Sequence, residues 1–339
     1  MQAERLCRGP DSGTGRVLAR PYFISFMNEH ERMNAITTYL RAQAEPSARD
    51  PLALHRRLAW WNHRRLSPGF PTDDWQDTLE DDHRMLRAEG AWIEGFRDEV
   101  KDRCASVPTD PDGFVAWFET LKLTGPGQND PLFAWLAEEA TMDQMRWFLR
   151  QEAAGEAGFD DMVAMAQIKL PDQAKMELAR NYWDEMGRGN QGGMHGPMLA
   201  RTVEGLQLNP EIDETLWQSL ALANTLTAFA TTRRYAYHAI GALGVVELTA
   251  PGRVSQVAAG LKRLGVEPAM RKYFDLHAAL DIKHSEEWNE QALKPLVRDN
   301  PDCARYLAEG AVMRLICGER CFEAYRAHLW GARRLMAAE

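Results

Sequence analysis

Residues 130–156 read DPLFAWLAEEATMDQMRWFLRQEAAGE, and their apolar side chains recur at intervals of three and four over several turns. Such spacing is typical of amphipathic helices, whereas the alternating pattern of half-buried strands is nearly absent from the sequence. The sequence therefore predicts an all-α fold. The expected helices cover residues of about 24–44, 51–66, 72–106, 111–121, 131–155, 171–187, 194–206, 211–247, 252–265, 268–297 and 301–330.

A loop is expected just before the periodic stretch. Residues 122–131 read KLTGPGQNDP and concentrate Gly, Pro, Asn and Asp, which favour turns over regular elements. We therefore expect a domain boundary at this point. Residues 1–125 would form an N-terminal helical extension that could supply a dimer surface, and residues 126–339 would carry the functional site.

The composition excludes several classes of protein. Of the 339 residues, 45% are hydrophobic and 26% are charged, which is typical of a soluble globular protein. The net charge is -9 and no dense basic run occurs, so nucleic acid is not an expected partner. No run approaches the roughly 18 apolar residues of a membrane span, and the first residues lack the apolar core of a signal peptide. We expect a cytoplasmic protein that does not contact membranes.

The cysteines do not suggest a disulfide framework. Their number is odd in a long chain, and they are Cys7, Cys104, Cys303, Cys317 and Cys321. Cys317 and Cys321 are four residues apart, as neighbours on a helix would be. We interpret this pair as reduced thiols of the core rather than as a redox or metal site.

The segment HAALDIKH, residues 277–284, places three polar side chains on one helix face. His277, Asp281 and His284 stand at i, i+4 and i+7, among apolar residues that should point toward the core. A buried carboxylate needs a hydrogen bond, an opposite charge or a metal. The two histidines would lie roughly 10 Å apart along the helix axis, so they could flank a pair of ions. The alternative is a His-Asp-His face without a ligand.

A second candidate lies in NYWDEMGRGNQGGMHG, residues 181–196. A helix that ends near Gly187 is followed by a Gly-rich loop, and the backbone freedom of glycine would let Glu185 and His195 converge. The alternative is a solvated Glu185 at a helix C-terminus, with His195 as the first residue of the next helix.

Further acids interrupt apolar helix faces. Glu152 continues the apolar row of the helix predicted at 131–155, and Glu156, one turn later, is its rival for the same role. Glu247 lies in an almost uncharged run, where nothing nearby in the sequence can neutralise it. Together with His195 and the 277–284 helix, these acids have the ligand chemistry of a carboxylate-bridged dinuclear iron or manganese site.

These residues resemble a known motif set. A ferritin-like bundle would need two Glu-x-x-His pairs, and only Glu80 and His83 have that spacing, in a stretch expected to be exposed. The chain instead resembles the haem-oxygenase-like diiron oxidases and oxygenases, the iron-containing redox enzymes. Their core helices carry Glu on the first, Glu and His on the second, Glu on the third, and His-x-x-x-Asp-x-x-His on a later one. The matching residues here are Glu152, Glu185, His195, Glu247, His277, Asp281 and His284.

The resemblance covers about residues 126–330 and implies a haem-oxygenase-like helical bundle with two non-haem irons. Manganese is the other metal to consider, and O2 would be the co-substrate. The implied substrate is a small molecule, an amino acid or amine of a biosynthetic pathway, which undergoes N-oxygenation, desaturation or C–C cleavage. In the implied ligand set one iron takes Glu152, His195 and His284, the other takes Glu185, His277 and Asp281, and Glu247 bridges them.

Three alternatives stay open from the sequence. They are a metal-free helical binding or accessory protein, a metal-independent enzyme of this fold, and a fatty-acid-type oxidative decarboxylase on the same fold. We expect a homodimer that acts on a small-molecule substrate with an external electron donor. A substrate carboxylate should be met by a basic side chain, and the unranked candidates are Arg180, Arg233, Arg234 and Arg253.

Overall fold

The computed structural model describes residues 29–42, 49–156 and 158–336, and within these ranges every regular element is a helix. The prediction of an all-α fold is confirmed. Cys7 and the start of the helix expected at 24–44 lie outside the described residues. The α-helices are α1 (Glu29–Ala42), α2 (Pro51–Leu66), α3 (Trp75–Val100), α4 (Pro111–Thr124), α5 (Pro131–Glu138), α6 (Met142–Gly155), α7 (Phe159–Ala166), α8 (Asp172–Glu185), α9 (His195–Gly205), α10 (Trp217–Thr231), α11 (Ala236–Arg263), α12 (Pro268–Trp288), α13 (Lys294–Asp299) and α14 (Cys303–Met336).

Local sequence signals explain where several helices begin. The side chains of Asp50, Asp110 and Asp130 each accept a backbone N–H of the following helix, and each is followed by proline at the first helical position. Thr141 and Gln144 form a capping box that starts α6. This new start explains why the single helix expected at 131–155 is two helices, α5 and α6.

The predicted break between residues 247 and 252 is wrong. The chain breaks earlier, between α10 and α11, and α11 continues through Pro251. Proline has no N–H to donate to the carbonyl of Glu247, one turn earlier, and therefore weakens the helix without ending it. The helix is held instead by burial, since it lies at the centre of the bundle.

Helix α11 packs on α5, α12 and α14. Two glycines allow its close approach to α14. A Cβ atom added to Gly241 would lie 1.8 Å from the carbonyl oxygen of Leu307, and one added to Gly310 would lie 2.1 Å from that of His238. The two backbones are therefore in contact, and larger residues at either position would separate the helices.

The helices of the expected N-terminal extension divide between two cores. Phe96, Phe114 and Phe118 of α3 and α4 are buried in the main core, together with α11 and α14. Helices α1 and α2 have a smaller core around Leu58 and Trp61. The domain boundary at residue 125 and the dimer surface stay predictions.

Two properties expected from composition can be compared with the structure. Among the described residues, no helix is both long and apolar enough to cross a membrane.

Four cysteines fall within the described residues, and all four are buried and free: Cys104, Cys303, Cys317 and Cys321. This confirms the interpretation of the last two as core thiols. Burial raises the pKa of the Cys303 thiol to about 12, so it stays protonated.

Candidate metal centre

A glycine-rich loop brings Glu185 and His195 together. Helix α8 ends at Glu185, and the chain turns back at Gly187, whose φ is +61°. A Cβ atom added there would lie 2.5 Å from the carbonyl carbon of Gly193, so the turn requires glycine. Helix α9 then begins at His195, whose Nδ1 lies 2.8 Å from Glu185 Oε2. Both side chains are buried, so the alternative of a solvated Glu185 does not apply.

Helix α12 buries His277, Asp281 and His284 on its inner face. His277 Nδ1 lies 2.7 Å from the carbonyl oxygen of Tyr273, which can only accept, so Nδ1 carries the proton. His277 Nε2 therefore points to the centre of the cluster, 3.4 Å from Glu185 Oε2 and 3.2 Å from His195 Nδ1. This is the nitrogen that His277 would offer to a metal ion.

His284 faces acids on both sides. Its Nε2 lies 3.3 Å from Asp184 Oδ2, and its Nδ1 lies 3.4 Å from Glu247 Oε1 and 3.6 Å from Glu185 Oε1. Among the described atoms, neither His284 Nδ1 nor Asp281 Oδ1 has a hydrogen-bond partner, although both are buried. Unpaired buried polar atoms are costly, and a bound cation would satisfy both of these.

Two groups of donor atoms could each hold a metal ion. One comprises Glu185, His195 and His277, and the other Glu185, Glu247 and His284; within each group the donor atoms lie within 4.8 Å of one another. Glu185 belongs to both. This grouping differs from the implied one, which placed His195 with His284 and made Glu247 the bridge. Mixed carboxylate and imidazole donors suit iron, so the residues present fit this metal.

The electrostatics of the cluster favour a cation. Burial, followed by the charges of Glu247 and Glu185, raises the pKa of Asp281 well above its ordinary value. Burial alone would also raise the pKa of Glu185, but contacts with His195 and His277 hold it below its ordinary value. The residues described contain no Arg or Lys ion pair to Glu185, Glu247 or Asp281. Despite burial, the acids instead raise the pKa of His195 and raise that of His284 to about 9, and a divalent metal would take the place of these protons.

The structure separates the two acids that the sequence left as rivals. Glu156 follows the end of α6 in extended conformation and accepts backbone N–H groups of Gly158 and Phe159, at 2.9 Å and 3.0 Å. Its Oε1 lies 3.5 Å from His195 Nε2. Glu152 instead accepts the hydroxyl of Tyr325 at 2.9 Å. Within the described part of the chain, it has no hydrogen bond or ion pair to the other six predicted ligands.

Sequence reasoning missed residues that hold the donors in place. Asn181 Nδ2 donates to Glu247 Oε1 at 2.7 Å, and Asp184 contacts His284. Both lie on α8, with Asn181 one turn before Glu185 on the same face, so helical spacing could have indicated it. Tyr273 also escaped notice, although its hydroxyl lies 3.3 Å from His195 Nε2.

A cavity of about 170 Å³ adjoins the cluster. Its walls include Glu156, Glu185, His195, Glu247, His277 and Asp281 on one side. Apolar side chains and two arginines, Arg253 and Arg314, complete it. A small molecule in this space would contact the candidate ligands directly.

Comparison with known sequences agrees with this site. Curated proteins give no significant match. The family model described as iron-containing redox enzyme matches residues 146–319, just over half of the chain, and this segment contains all seven predicted ligands and Glu156. The expected haem-oxygenase-like bundle is thereby confirmed. The chain belongs to the family of iron-containing redox enzymes.

Proposed function

We propose that this chain is a non-haem diiron enzyme that uses O2 to oxidise a small molecule. The observation that carries the proposal is that Glu185 belongs to two adjacent donor groups, each with imidazole ligands. One carboxylate shared by two ions is the arrangement expected of a carboxylate-bridged pair. Two ferrous ions bound there would supply electrons for the reduction of O2.

The proposed ligands differ in part from those implied by the resemblance. His195 and His277 would bind one iron, Glu247 and His284 the other, and Glu185 would bridge them. Asp281, buried on α12 with Oδ1 free of any hydrogen bond among the described residues, would complete the set. Glu156, at the other nitrogen of His195, is a positioning residue, and Glu152 is not a ligand. With Glu156, four carboxylates would offset the charge of two divalent ions.

Neighbouring groups would orient the ligands. His277 Nδ1–H donates a hydrogen bond to the Tyr273 carbonyl, and this contact turns Nε2 toward Glu185. Asp184 accepts a hydrogen bond from Nε2 of His284. His284 Nδ1 therefore points toward Glu185 and Glu247. Asn181 fixes one oxygen of Glu247. Such outer contacts hold the tautomer and direction of each ligand before a metal arrives.

The cavity would bind the substrate against these ligands. Phe133, Phe148 and Phe322 also line it, so bound substrate would displace water and contact apolar side chains. A substrate amine held there would undergo N-oxygenation. Adjacent C–H bonds would undergo desaturation, and a C–C bond would undergo cleavage. An external electron donor would supply the further electrons that some of these reactions require.

Metal content tests the proposal. The purified chain, reconstituted with ferrous ion without oxygen, should bind about two irons per chain. Addition of O2 should then cause rapid O2 consumption only with suitable substrates, and the manganese-loaded chain serves as comparison. A chain that binds no iron under these conditions would contradict the proposal and support a metal-free binding protein.

A further inference from the structure

The cavity has a second polar end, formed by two arginines. Arg253 of α11 and Arg314 of α14 both line it, together with Glu152. They are close enough for the charge of Arg314 to lower the pKa of Arg253. Of the four arginines considered from the sequence, Arg253 is the one that lines this cavity, and Arg314 was not among them.

Neither guanidinium has a carboxylate partner. Within the residues described, no ion pair within 4 Å involves Arg253 or Arg314, although the chain forms many such pairs elsewhere. Arg253 donates to Thr249 Oγ1 at 3.2 Å and lies 5.6 Å from the ring centre of Phe322. Arg314 Nε is buried without a hydrogen-bond partner among the described residues. Guanidinium groups in such surroundings are normally paired with an anion.

Glu152 cannot balance both arginines. Its carboxylate accepts the hydroxyl of Tyr325, at 2.9 Å, and Tyr325 is in turn 2.8 Å from Ser219 Oγ. Burial raises the pKa of Glu152, although the Tyr325 hydroxyl and the charges of Arg314 and Arg253 act in the opposite direction. Burial and Arg314 lower the pKa of Arg253 to about 9, which still leaves it protonated at neutral pH. Two cations thus face at most one carboxylate, and the arginine end of the cavity carries excess positive charge.

Helix α14 leaves room for this arrangement. Gly318 lies one turn after Arg314, and a Cβ atom added there would lie 3.0 Å from Arg314 Nη1. A larger residue would require the guanidinium to shift by a few tenths of an ångström. Gly318 therefore leaves Arg314 the space that it occupies beside the cavity.

We propose that Arg253 and Arg314 bind the carboxylate of the substrate, whose apolar body lies along Phe133, Phe148 and Phe322. Guanidinium forks match a carboxylate in shape and charge, and one carboxylate would neutralise the excess charge. The orientation of the substrate, with the end opposite its carboxylate toward the candidate metal ligands, rests on the proposed function. Binding of the carboxylate by the two arginines does not depend on that function.

The carboxylate could belong to a simple carboxylic acid or to an amino acid. A simple acid balances the charge of the two arginines and Glu152, whereas an amino acid would bring an ammonium group that Glu152 would have to accept. Octanoate and L-2-aminooctanoate differ only in this group, so their relative affinities identify the class. Either order of affinity supports the carboxylate site if octan-1-ol, which has no carboxylate, binds much more weakly.

Calorimetry on the full chain tests the proposal, first without iron, so that no carboxylate can bind a metal, and then after reconstitution. We expect Arg253→Met and Arg314→Met each to weaken octanoate binding about 10- to 100-fold without changing binding of octan-1-ol. Arg253→Lys should restore part of the affinity. Arg146→Met, on the outer surface, is the matched control and should bind octanoate normally.

Circular dichroism and thermal melting must show that each variant is folded. Equal binding of octanoate and octan-1-ol to the wild-type chain would overturn the proposal, as would unchanged octanoate affinity in both folded Met variants. Carboxylate-selective binding in a chain that takes up no iron would contradict the proposed function alone. Iron binding without carboxylate selectivity would contradict this inference alone.

Discussion

Helix α11 contributes to two buried clusters of Glu and His that differ in charge balance. At its start, His238 contacts Glu309 at 3.0 Å, and Arg97 and Arg305 each donate to Glu309 at 2.8 Å. These four residues are the compensated cluster. Burial opposes ionisation of Glu309, but these three partners lower its pKa to about 2.

Among the described residues, the other cluster, about two turns further along α11, has only histidines to balance its acids. The acidic cluster comprises Glu185, Glu247, Asp281, His195, His277 and His284, and within the described residues it contains no Arg or Lys ion pair. A buried Glu beside a buried His is therefore not by itself evidence of a metal site. What distinguishes the acidic cluster is that only histidines balance its acids, which, despite burial, raise the pKa of His284 to about 9, and that His284 Nδ1 and Asp281 Oδ1 have no hydrogen bond among the described residues.

The largest difference should appear when the shared acid is removed. Glu185→Ala deletes a donor from both groups, so we expect reconstituted iron to fall from about two per chain to nearly none. Glu309→Gln, in the compensated cluster, should keep the wild-type iron content. Atomic absorption on anaerobically reconstituted, folded protein measures both. Full iron binding by Glu185→Ala would show that the two donor groups do not share a ligand.

Removal of Glu309 should affect stability and not iron. Glu309→Ala leaves two arginines and His238 without their common anion, and we expect a loss of about 3 kcal/mol in the free energy of unfolding. Urea denaturation measures this loss. The matched control is Glu99→Ala, which breaks a more exposed pair with Arg320 and should cost less than about 1 kcal/mol. Similar losses in both variants would mean that the buried ion pairs of Glu309 stabilise the fold no more than an exposed pair does.

The rival acids of the first core helix should differ in iron affinity. Glu156→Ala removes the carboxylate that faces His195 Nε2, and we expect iron binding to weaken about 10- to 100-fold. Glu152→Ala should leave iron binding unchanged, because Glu152 contacts Tyr325 at the arginine end of the cavity. Competition with a chelator of known affinity measures both constants. Weaker iron binding by Glu152→Ala together with unchanged binding by Glu156→Ala would identify Glu152 as the metal ligand.

The smallest expected effect is that of Asp281→Asn on the free energy of unfolding, and its sign should differ between the metal-free and the iron-loaded protein. In the metal-free protein Asp281→Asn relieves repulsion among buried acids, so the free energy of unfolding should rise by about 1 kcal/mol. After reconstitution the same change should lower stability, because a proposed ligand is lost. Denaturation in chelator and in iron measures both values. Destabilisation in both states would show that the acids are balanced without a cation.

Helical periodicity was sufficient for much of the site. It predicted that His277, Asp281 and His284 share one face directed toward the core, and the glycines of residues 187–193 allowed Glu185 and His195 to converge without deciding that they do. Periodicity could not choose between Glu152 and Glu156, because the two are one turn apart. The helix ends between them, and Glu156 leaves the helical face altogether.

Taken by itself, the sequence determined the helical class, several helix starts and the shared helix face of three candidate ligands, because these depend on contacts between near neighbours in the chain. Only the tertiary structure decided which donors meet, since His195, Glu247 and His284 come from three different helices. It also distinguished Glu309, which pairs with arginines of α3 and its own helix, from Glu247, which pairs with His284 and with no arginine or lysine among the described residues. Charge balance is a property of packed helices, and no local pattern records it.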